Sequence, residues 1–156
     1  MAANTLPFLQ TTLGLLTDLP IWVFGGWAEE LWQITPTKMH NDIDLLYSAA
    51  TFESLDDFMT HRGDIQEIQQ KRFSHKRAVL YKQVMIEFLL VQRANDNYFT
   101  DFFSGRYHLD WPSDVFCRVN ISGLDVPIAS KPALNIYRQR HKQIEQAYQE
   151  FLQVTD

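Results

Sequence analysis

The chain has 156 residues, 46% hydrophobic and 21% charged, with a formal net charge of −5, which fits one globular domain over residues 1–156 and not a disordered polymer. Apolar runs such as Ile21-Trp22-Val23-Phe24 and Phe88-Leu89-Leu90-Val91 fall far short of the ~20 residues that span a bilayer, and Met1-Ala2-Ala3-Asn4-Thr5-Leu6-Pro7 has no basic leader, so a cytoplasmic protein without a membrane partner is expected. A lone Cys117 excludes a disulfide framework, no Cys/His spacing resembles a zinc site, and the acidic balance argues against broad nucleic-acid binding.

In chain order, Leu9, Leu13 and Leu16 share one face of a helix predicted over residues 5–19, which Pro20 ends. Ile21-Trp22-Val23-Phe24, apolar throughout and bounded by Pro20 and Gly25-Gly26, reads as a buried strand. Residues 28–32 form a short helix closed by Pro36, and residues 43–47 a second strand. Phe52, Leu55, Phe58 and Met59 sit at helical spacing up to Gly63. Extended pieces follow at 65–69, 78–81 and 84–91, the last two joined by Lys82-Gln83 without the usual Gly or Asn. Residues 92–125 yield only turn signals: Asn95-Asp96-Asn97, Ser104-Gly105, Trp111-Pro112 and Ser122-Gly123. Ser130 caps a closing helix with Pro132 in its first turn, along which Leu134, Tyr137, His141, Ile144, Tyr148 and Phe151 form one stripe. This order of elements points to an α+β fold, a mixed sheet packed with helices.

Charge is unevenly placed. Residues 1–68 hold ten acids and two bases, and residues 69–156 hold nine acids and twelve bases. An acidic half can concentrate divalent metal and a more basic half can meet phosphate, while on charge alone solvated faces are the plainer explanation of the split. Three local features sharpen the choice. Gly25 and Gly26 lie between a buried strand and a helix, where glycine permits unusual backbone angles and the close approach of an anion, although many such turns are structural. Asp42 and Asp44, two apart on a strand, share one face while Ile43 and Leu45 point the other way. Adjacent carboxylates repel unless a cation bridges them, and Mg²⁺ or Mn²⁺ is the natural hard partner; a solvated strand end is the alternative. Glu87 interrupts the apolar run Val84-Met85-Ile86-Glu87-Phe88-Leu89-Leu90, and a buried carboxylate needs either a metal or a base such as Lys76 or Arg77.

At this point the sequence resembles a known superfamily. Gly25-Gly26-Trp27-Ala28-Glu29-Glu30-Leu31, then Thr37-Lys38-Met39-His40-Asn41-Asp42-Ile43-Asp44-Leu45, is similar to the signature of nucleotidyltransferases with the DNA polymerase β-like fold. Within that superfamily it looks like the small lincosamide and aminoglycoside-2″ adenylyltransferases. Their pattern is Gly-Gly-Trp, an acid three positions on, then Thr-Arg-x-His-x-Asp-x-Asp. Glu30 supplies the acid, and Lys38 replaces Arg, which keeps the charge and loses the planar fork. Glu87 stands where the family keeps a third carboxylate. The resemblance is strong over residues 21–47, weaker to residue 91, and loose beyond, through a Pro-containing strand at 126–128 and the Ser130-capped helix.

The resemblance implies metal-dependent transfer of an NMP, AMP from ATP, to a hydroxyl of a small molecule such as an aminoglycoside or lincosamide. Asp42, Asp44 and Glu87 would be the metal-binding and catalytic set, holding two Mg²⁺ (or Mn²⁺) ions. Gly25, Gly26, Lys38 and His40 would meet the nucleotide. A protein or tRNA end as acceptor keeps the same chemistry, and a non-catalytic nucleotide-binding protein shares the fold. Lys71, Arg72, His75, Lys76 and Arg77 form a basic cluster for triphosphate or a solvated loop. Tyr98, Phe99, Phe102, Phe103, Tyr107 and Trp111 could line an acceptor pocket, while Trp27 and Trp32 read as core. His61, His108 and His141 have no ligand spacing, and nothing in the sequence reads out the oligomeric state.

Overall fold

Thr5 accepts a hydrogen bond from the Phe8 N–H (3.3 Å) and caps α1 (Leu6–Leu15), the first element of a computed structural model that describes residues 4–155. Residues 1–3, part of the stretch read for a leader, lie outside the described residues. The helix stops at Leu15 and does not run to residue 19. Proline disfavours helical backbone at the preceding residue, and Leu19 instead closes a turn onto the Leu16 carbonyl (2.9 Å). β1 (Ile21–Phe24) passes directly into α2 (Gly25–Leu31), so the glycine pair opens the helix rather than forming a separate loop. β2 (Asp42–Ser48), α3 (Glu53–Thr60), β3 (Ile65–Glu67), a single 3₁₀ turn at Gln69–Lys71, β4 (Lys76–Tyr81) and β5 (Val84–Ala94) follow. Lys82 and Gln83 take left-handed φ angles of 48° and 68°, the geometry of a type I′ hairpin turn, which these residues accept despite lacking the preferred side chains.

The stretch over 92–125 folds into β6 (Asn97–Phe102), β7 (Tyr107–Asp110) and β8 (Phe116–Ile121), and β9 (Leu124–Ala129) completes the sheet. Its turn signals fall between strands, with left-handed backbone at Asn95, Ser104 and Ser122. Ser130 caps α4 (Lys131–Gln139) by accepting the Ala133 N–H (3.1 Å). The closing helix is two helices rather than one. Its ladder breaks at Arg140, whose N–H is shared between the carbonyls of Ile136 (3.0 Å) and Tyr137 (3.2 Å), and α5 (His141–Thr155) begins beyond it. Neither Gly nor Pro marks that break.

Among the described residues the sheet has nine strands. Its main path runs β3-β4-β5-β2-β1-β9-β8, and β6 and β7 join the far end of β5. The β2–β5 and β1–β9 pairs are parallel and the others antiparallel, so the sheet is mixed, as the element order predicts. Period-two alternation sends Val23, Leu45, Tyr47 and Phe88 to one face, where Tyr47 meets Phe52 at the start of α3 (ring centroids 5.4 Å). The other face carries Phe24, Asp44 and Glu87, and there Tyr137 of α4 packs edge-on against Phe24 (4.9 Å). Tyr47, Phe88, Ile43 and Leu45 are fully buried, and each large apolar side chain so buried contributes about 1.5–3 kcal/mol. No helix among the described residues is long and apolar enough to cross a membrane.

Candidate active site

Strand register assembles three carboxylates. In the parallel β2–β5 pair Asp44 lies opposite Glu87 and Asp42 opposite Met85, which puts both aspartates and the glutamate on one face. One oxygen from each of Asp42, Asp44 and Glu87 lies within 4.8 Å of the others, and all three residues are half-buried. The crowding is visible in their acidities. Burial first, then the charges of Asp42 and Glu87, push the Asp44 carboxyl up to about 7. Burial and the Glu87 charge raise Asp42 as well. Glu87 behaves oppposite to its neighbours: burial would raise it, but the hydrogen bonds and charges of Lys76 and Lys71 outweigh that and hold it low. Lys76 Nζ stands 2.5 Å from Glu87 Oε2, and Lys71 Nζ 3.2 Å from Oε1.

The β4–β5 hairpin explains why Lys76, and not Arg77, is the partner. Ala78 lies opposite Glu87, so Lys76 shares Glu87's face while Arg77 points to the other side. There Arg77 Nε donates to Asp56 Oδ1 (2.9 Å). Arg72 pairs with Glu67 and Asp56, and His75 is buried at 4% exposure. The basic cluster read from the sequence therefore divides, and two of its members, Lys71 and Lys76, reach the carboxylates.

Gly25 and Gly26 have different jobs. Gly25 is left-handed (φ +61°), and a Cβ there would stand 2.9 Å from Asp44 Cβ and closer still to its carboxylate, so the chain crosses directly over Asp44. Gly26 has no such backbone requirement. A Cβ on it would meet His40 Nδ1 at 3.1 Å, with Lys38 Cε at 4.0 Å. The His40 ring stacks on Trp27 (centroids 4.1 Å, 29°), and its Nε2 lies 2.9 Å from Glu30 Oε1. The same Glu30 oxygen accepts the Lys38 N–H at 3.0 Å. Glu30 thus ties the segment holding Lys38 and His40 onto α2, leaving the Lys38 residue exposed and the His40 side chain only 5% exposed. Trp27, 4% exposed, is core as expected.

Beside the carboxylates lies a cavity of about 360 Å³, bordered by Gly25, Asp44 and Glu87 and walled by aromatic side chains. Of the six aromatics expected to line a pocket, only Phe102 and Phe103 reach it. Tyr98 packs on Phe116, Phe99 on His108, and Trp111 donates its indole N–H to Thr100 Oγ1 in the core; Tyr107 lies beside Phe102 and away from the cavity wall. Phe73, His75, Tyr137, His141 and Tyr148 take the vacated places. In the sequence Tyr137, His141 and Tyr148 belong to one helical stripe and Phe73 carries no signal of its own; hydroxyls and an imidazole on that stripe are the usable sign of a wall. Burial, then the Asp44 and Glu87 charges, lift the Tyr137 phenol to about 12, so it stays a neutral donor at physiological pH.

A family model described as aminoglycoside-2″-adenylyltransferase matches residues 12–150. No curated protein sequence matches the chain. Among solved structures, the lincosamide antibiotic adenylyltransferase LnuA with lincomycin bound superposes with a TM-score of 0.69 at 16% identity, covering 94% of this chain and 98% of its own. ANT(2″)-Ia in complex with adenylyl-2″-tobramycin gives 0.61 at 15% identity, with 96% and 88% covered. A Thermotoga maritima protein assigned as a nucleotidyltransferase gives 0.62 at 15%, with 96% and 92% covered. At such identities these likenesses establish the fold, which is the one the sequence motifs implied.

Proposed function

This chain belongs to the aminoglycoside-2″-adenylyltransferase family, and from that premise we propose that it moves AMP from ATP to a hydroxyl of a small molecule, acting as one domain in the cytoplasm with Mg²⁺ or Mn²⁺ at Asp42, Asp44 and Glu87. Membership itself makes it a nucleotidyltransferase of the adenylyltransferase class. The donor, the metal, the acceptor and the role of each residue are the finer part of the proposal. The observation that supports it most is the convergence of three carboxylates within 4.8 Å beneath the left-handed Gly25. The donor set fits a hard divalent cation. It is all oxygen, half-buried and mutually repulsive, and its central carboxyl resists ionising until about pH 7, a cost that a bound cation removes.

Asp42, Asp44 and Glu87 would hold the divalent ion, which when bound would supply acidification of the acceptor hydroxyl and charge neutralisation for the departing pyrophosphate. The chain's own residues then position the reactants. Gly25 and Gly26 admit the β- and γ-phosphates close to the backbone, Lys38 supplies a cation beside them, and His40 fixes that segment from behind Gly26. The acceptor oxygen bonds to the α-phosphorus, the bond from that phosphorus to the bridging oxygen breaks, and pyrophosphate leaves with the electron pair. The acceptor's proton passes to Glu87 and on to solvent. A cavity bordering the carboxylates supports a small acceptor over a protein or tRNA end. The test is to incubate the protein with Mg²⁺, each NTP and a panel of aminoglycosides and lincosamides, and to measure pyrophosphate. Release with ATP and at least one acceptor is expected. Absence of release with every nucleotide, together with no metal-dependent ATP binding, would overturn the proposal in favour of a non-catalytic protein with this fold.

A further inference from the structure

We propose that Asn4, in the segment just before α1, is a positioning residue for the metal site: its carboxamide holds the Asp42 end of β2 and ties it to the segment that carries Lys38. The inference rests on the nucleotidyl-transfer reading above, in which Asp42 is a metal ligand and Lys38 meets the nucleotide. It adds a residue that lies outside the signature of Gly25 to Asp44 and touches neither metal nor nucleotide itself.

Asp42 needs such a restraint. β1 ends at Phe24, opposite Asp44, because the chain turns at left-handed Gly25 into α2. Asp42 opens β2 before that pairing begins, so its one strand partner is Met85 of β5. The end of a strand frays more readily than its middle, and the Glu87 charge works against Asp42 there, since like charges in a cluster push apart. Asn4 Nδ2 donates to the Asp42 carbonyl at 2.8 Å, a tether at a point that the ladder of β1 does not reach.

The same carboxamide reaches α2, where the Trp27 indole N–H donates to Asn4 Oδ1 at 3.1 Å. An indole N–H only donates and a backbone carbonyl only accepts, so the residue between them must present an acceptor and a donor on one short planar group. Asn meets that demand, whereas an ionised Asp lacks the donor. Trp27 carries the tether further. Its ring stacks on His40 at 4.1 Å, His40 Nε2 meets Glu30 Oε1 at 2.9 Å, and that oxygen accepts the Lys38 N–H. The chain between α2 and β2 is therefore pinned by Glu30 at Lys38 and by Asn4 at Asp42, with Trp27 and His40 joining the two pins. Asn4 is itself anchored by the helix it precedes: Thr5 caps α1, the Thr5 carbonyl accepts the Leu9 N–H at 2.9 Å, and Leu9 is buried in the core. Small displacements of a group that holds a reactant cost rate and affinity out of proportion to their size.

Asn4→Leu keeps the volume and removes both hydrogen bonds, and calorimetric titration of the whole protein reads the result without turnover. The probe is the preformed complex of Mn²⁺ with a non-hydrolysable ATP analogue. Asn4→Leu is expected to weaken its binding about tenfold, the scale of two lost hydrogen bonds. Asn4→Ala, which adds no apolar bulk, should show the same loss. Ser130→Ala is the control for stability lost elsewhere: it removes the cap of α4 beyond β9, on the far side of β1 from β2. It should lower the melting midpoint and leave the affinity for the complex unchanged. Unaltered affinity in Asn4→Leu and Asn4→Ala, or a loss that Ser130→Ala reproduces, makes Asn4 a merely structural residue and overturns the inference. Failure of the transfer reading looks different: wild type itself does not bind the complex, and both readings then fall.

Discussion

Replacing Asp44 with Asn tests the carboxylate cluster most directly, because the metal-free and metal-bound proteins should respond in opposite directions. In the fold the Asp44 carboxyl is held at about 7 against an ordinary 3.8, chiefly by burial and then by Asp42 and Glu87. A raised acid binds its proton more tightly folded than unfolded, so the folded state is relatively favoured at low pH and loses stability as pH climbs from 3.8 to about 7. Above that range the full penalty applies. At 1.36 kcal/mol per unit the ceiling is about 4 kcal/mol, and solvent relaxation around a half-buried group brings the expectation to about 2 kcal/mol. Asn keeps the shape and removes the charge. Metal-free Asp44→Asn should therefore melt several degrees higher at pH 8, on the scale of about 2–4 °C per kcal/mol for a chain of this size, and the gain should vanish near pH 4. Adding Mg²⁺ with a non-hydrolysable ATP analogue should stabilise wild type, by about 2.7 kcal/mol at a hundredfold excess over Kd, and do little for the variant. Melts across pH, with and without metal, read both effects. A variant that is no more stable than wild type at pH 8 without metal, or that gains as much from Mg²⁺, refutes the reasoning.

Gly25→Ala should cost about 1–2 kcal/mol from the left-handed backbone alone, and more as its Cβ displaces Asp44; denaturant melts and turnover should both fall. Gly26→Ala leaves the backbone unstrained and pushes on His40, so it should raise the KM for ATP with little change in kcat. Glu87→Gln should lower single-turnover rates by about 10²–10⁴ while ATP binding survives, and near-normal turnover would remove Glu87 from the chemistry. His75 governs the acid limit. Burial, with the Lys76 charge, depresses it to about 3 from 6.5, so its contribution is complete above pH 6.5 and is lost as pH falls toward 3, on the order of 4 kcal/mol. His75→Gln should flatten that acid limb in a pH series of melts.

Legibility in the sequence tracked the strength of the local period. β1, β2 and the first half of β5 were readable because short apolar runs ended at Gly, Pro or charged residues, and the two-residue spacing of Asp42 and Asp44 fixed their common face. The partner of Glu87 was also within reach. A two-residue turn at Lys82-Gln83 fixes the hairpin register, and its parity places Lys76 beside Glu87 and Arg77 behind the sheet. β6 and β7 were not readable, since they pair with only the end of β5 and with each other, and partial burial leaves no clean alternation. The break at Arg140 has no Gly or Pro to announce it. The separate duties of Gly25 and Gly26 depend on what lies across from each, Asp44 for one and His40 for the other, and a dipeptide carries no record of its distant neighbours.

β5 serves two masters along its length. Its first half pairs with β2 and β4 and presents Glu87, whereas Gln92, Arg93 and Ala94 at its far end pair with β6. Phe102 and Phe103 ride on the ribbon that hangs from this far end, remote in sequence and in pairing from Asp42 and Asp44. The exposed positions of the ribbon over residues 97–110 can therefore drift without moving a carboxylate, whereas Thr100, Phe102, Phe103 and Leu109 are buried in the shared core and change only together with their neighbours. On the acceptor site proposed above, proteins built this way would diverge fastest at those exposed ribbon positions, and a library confined to them would sample that divergence in the laboratory.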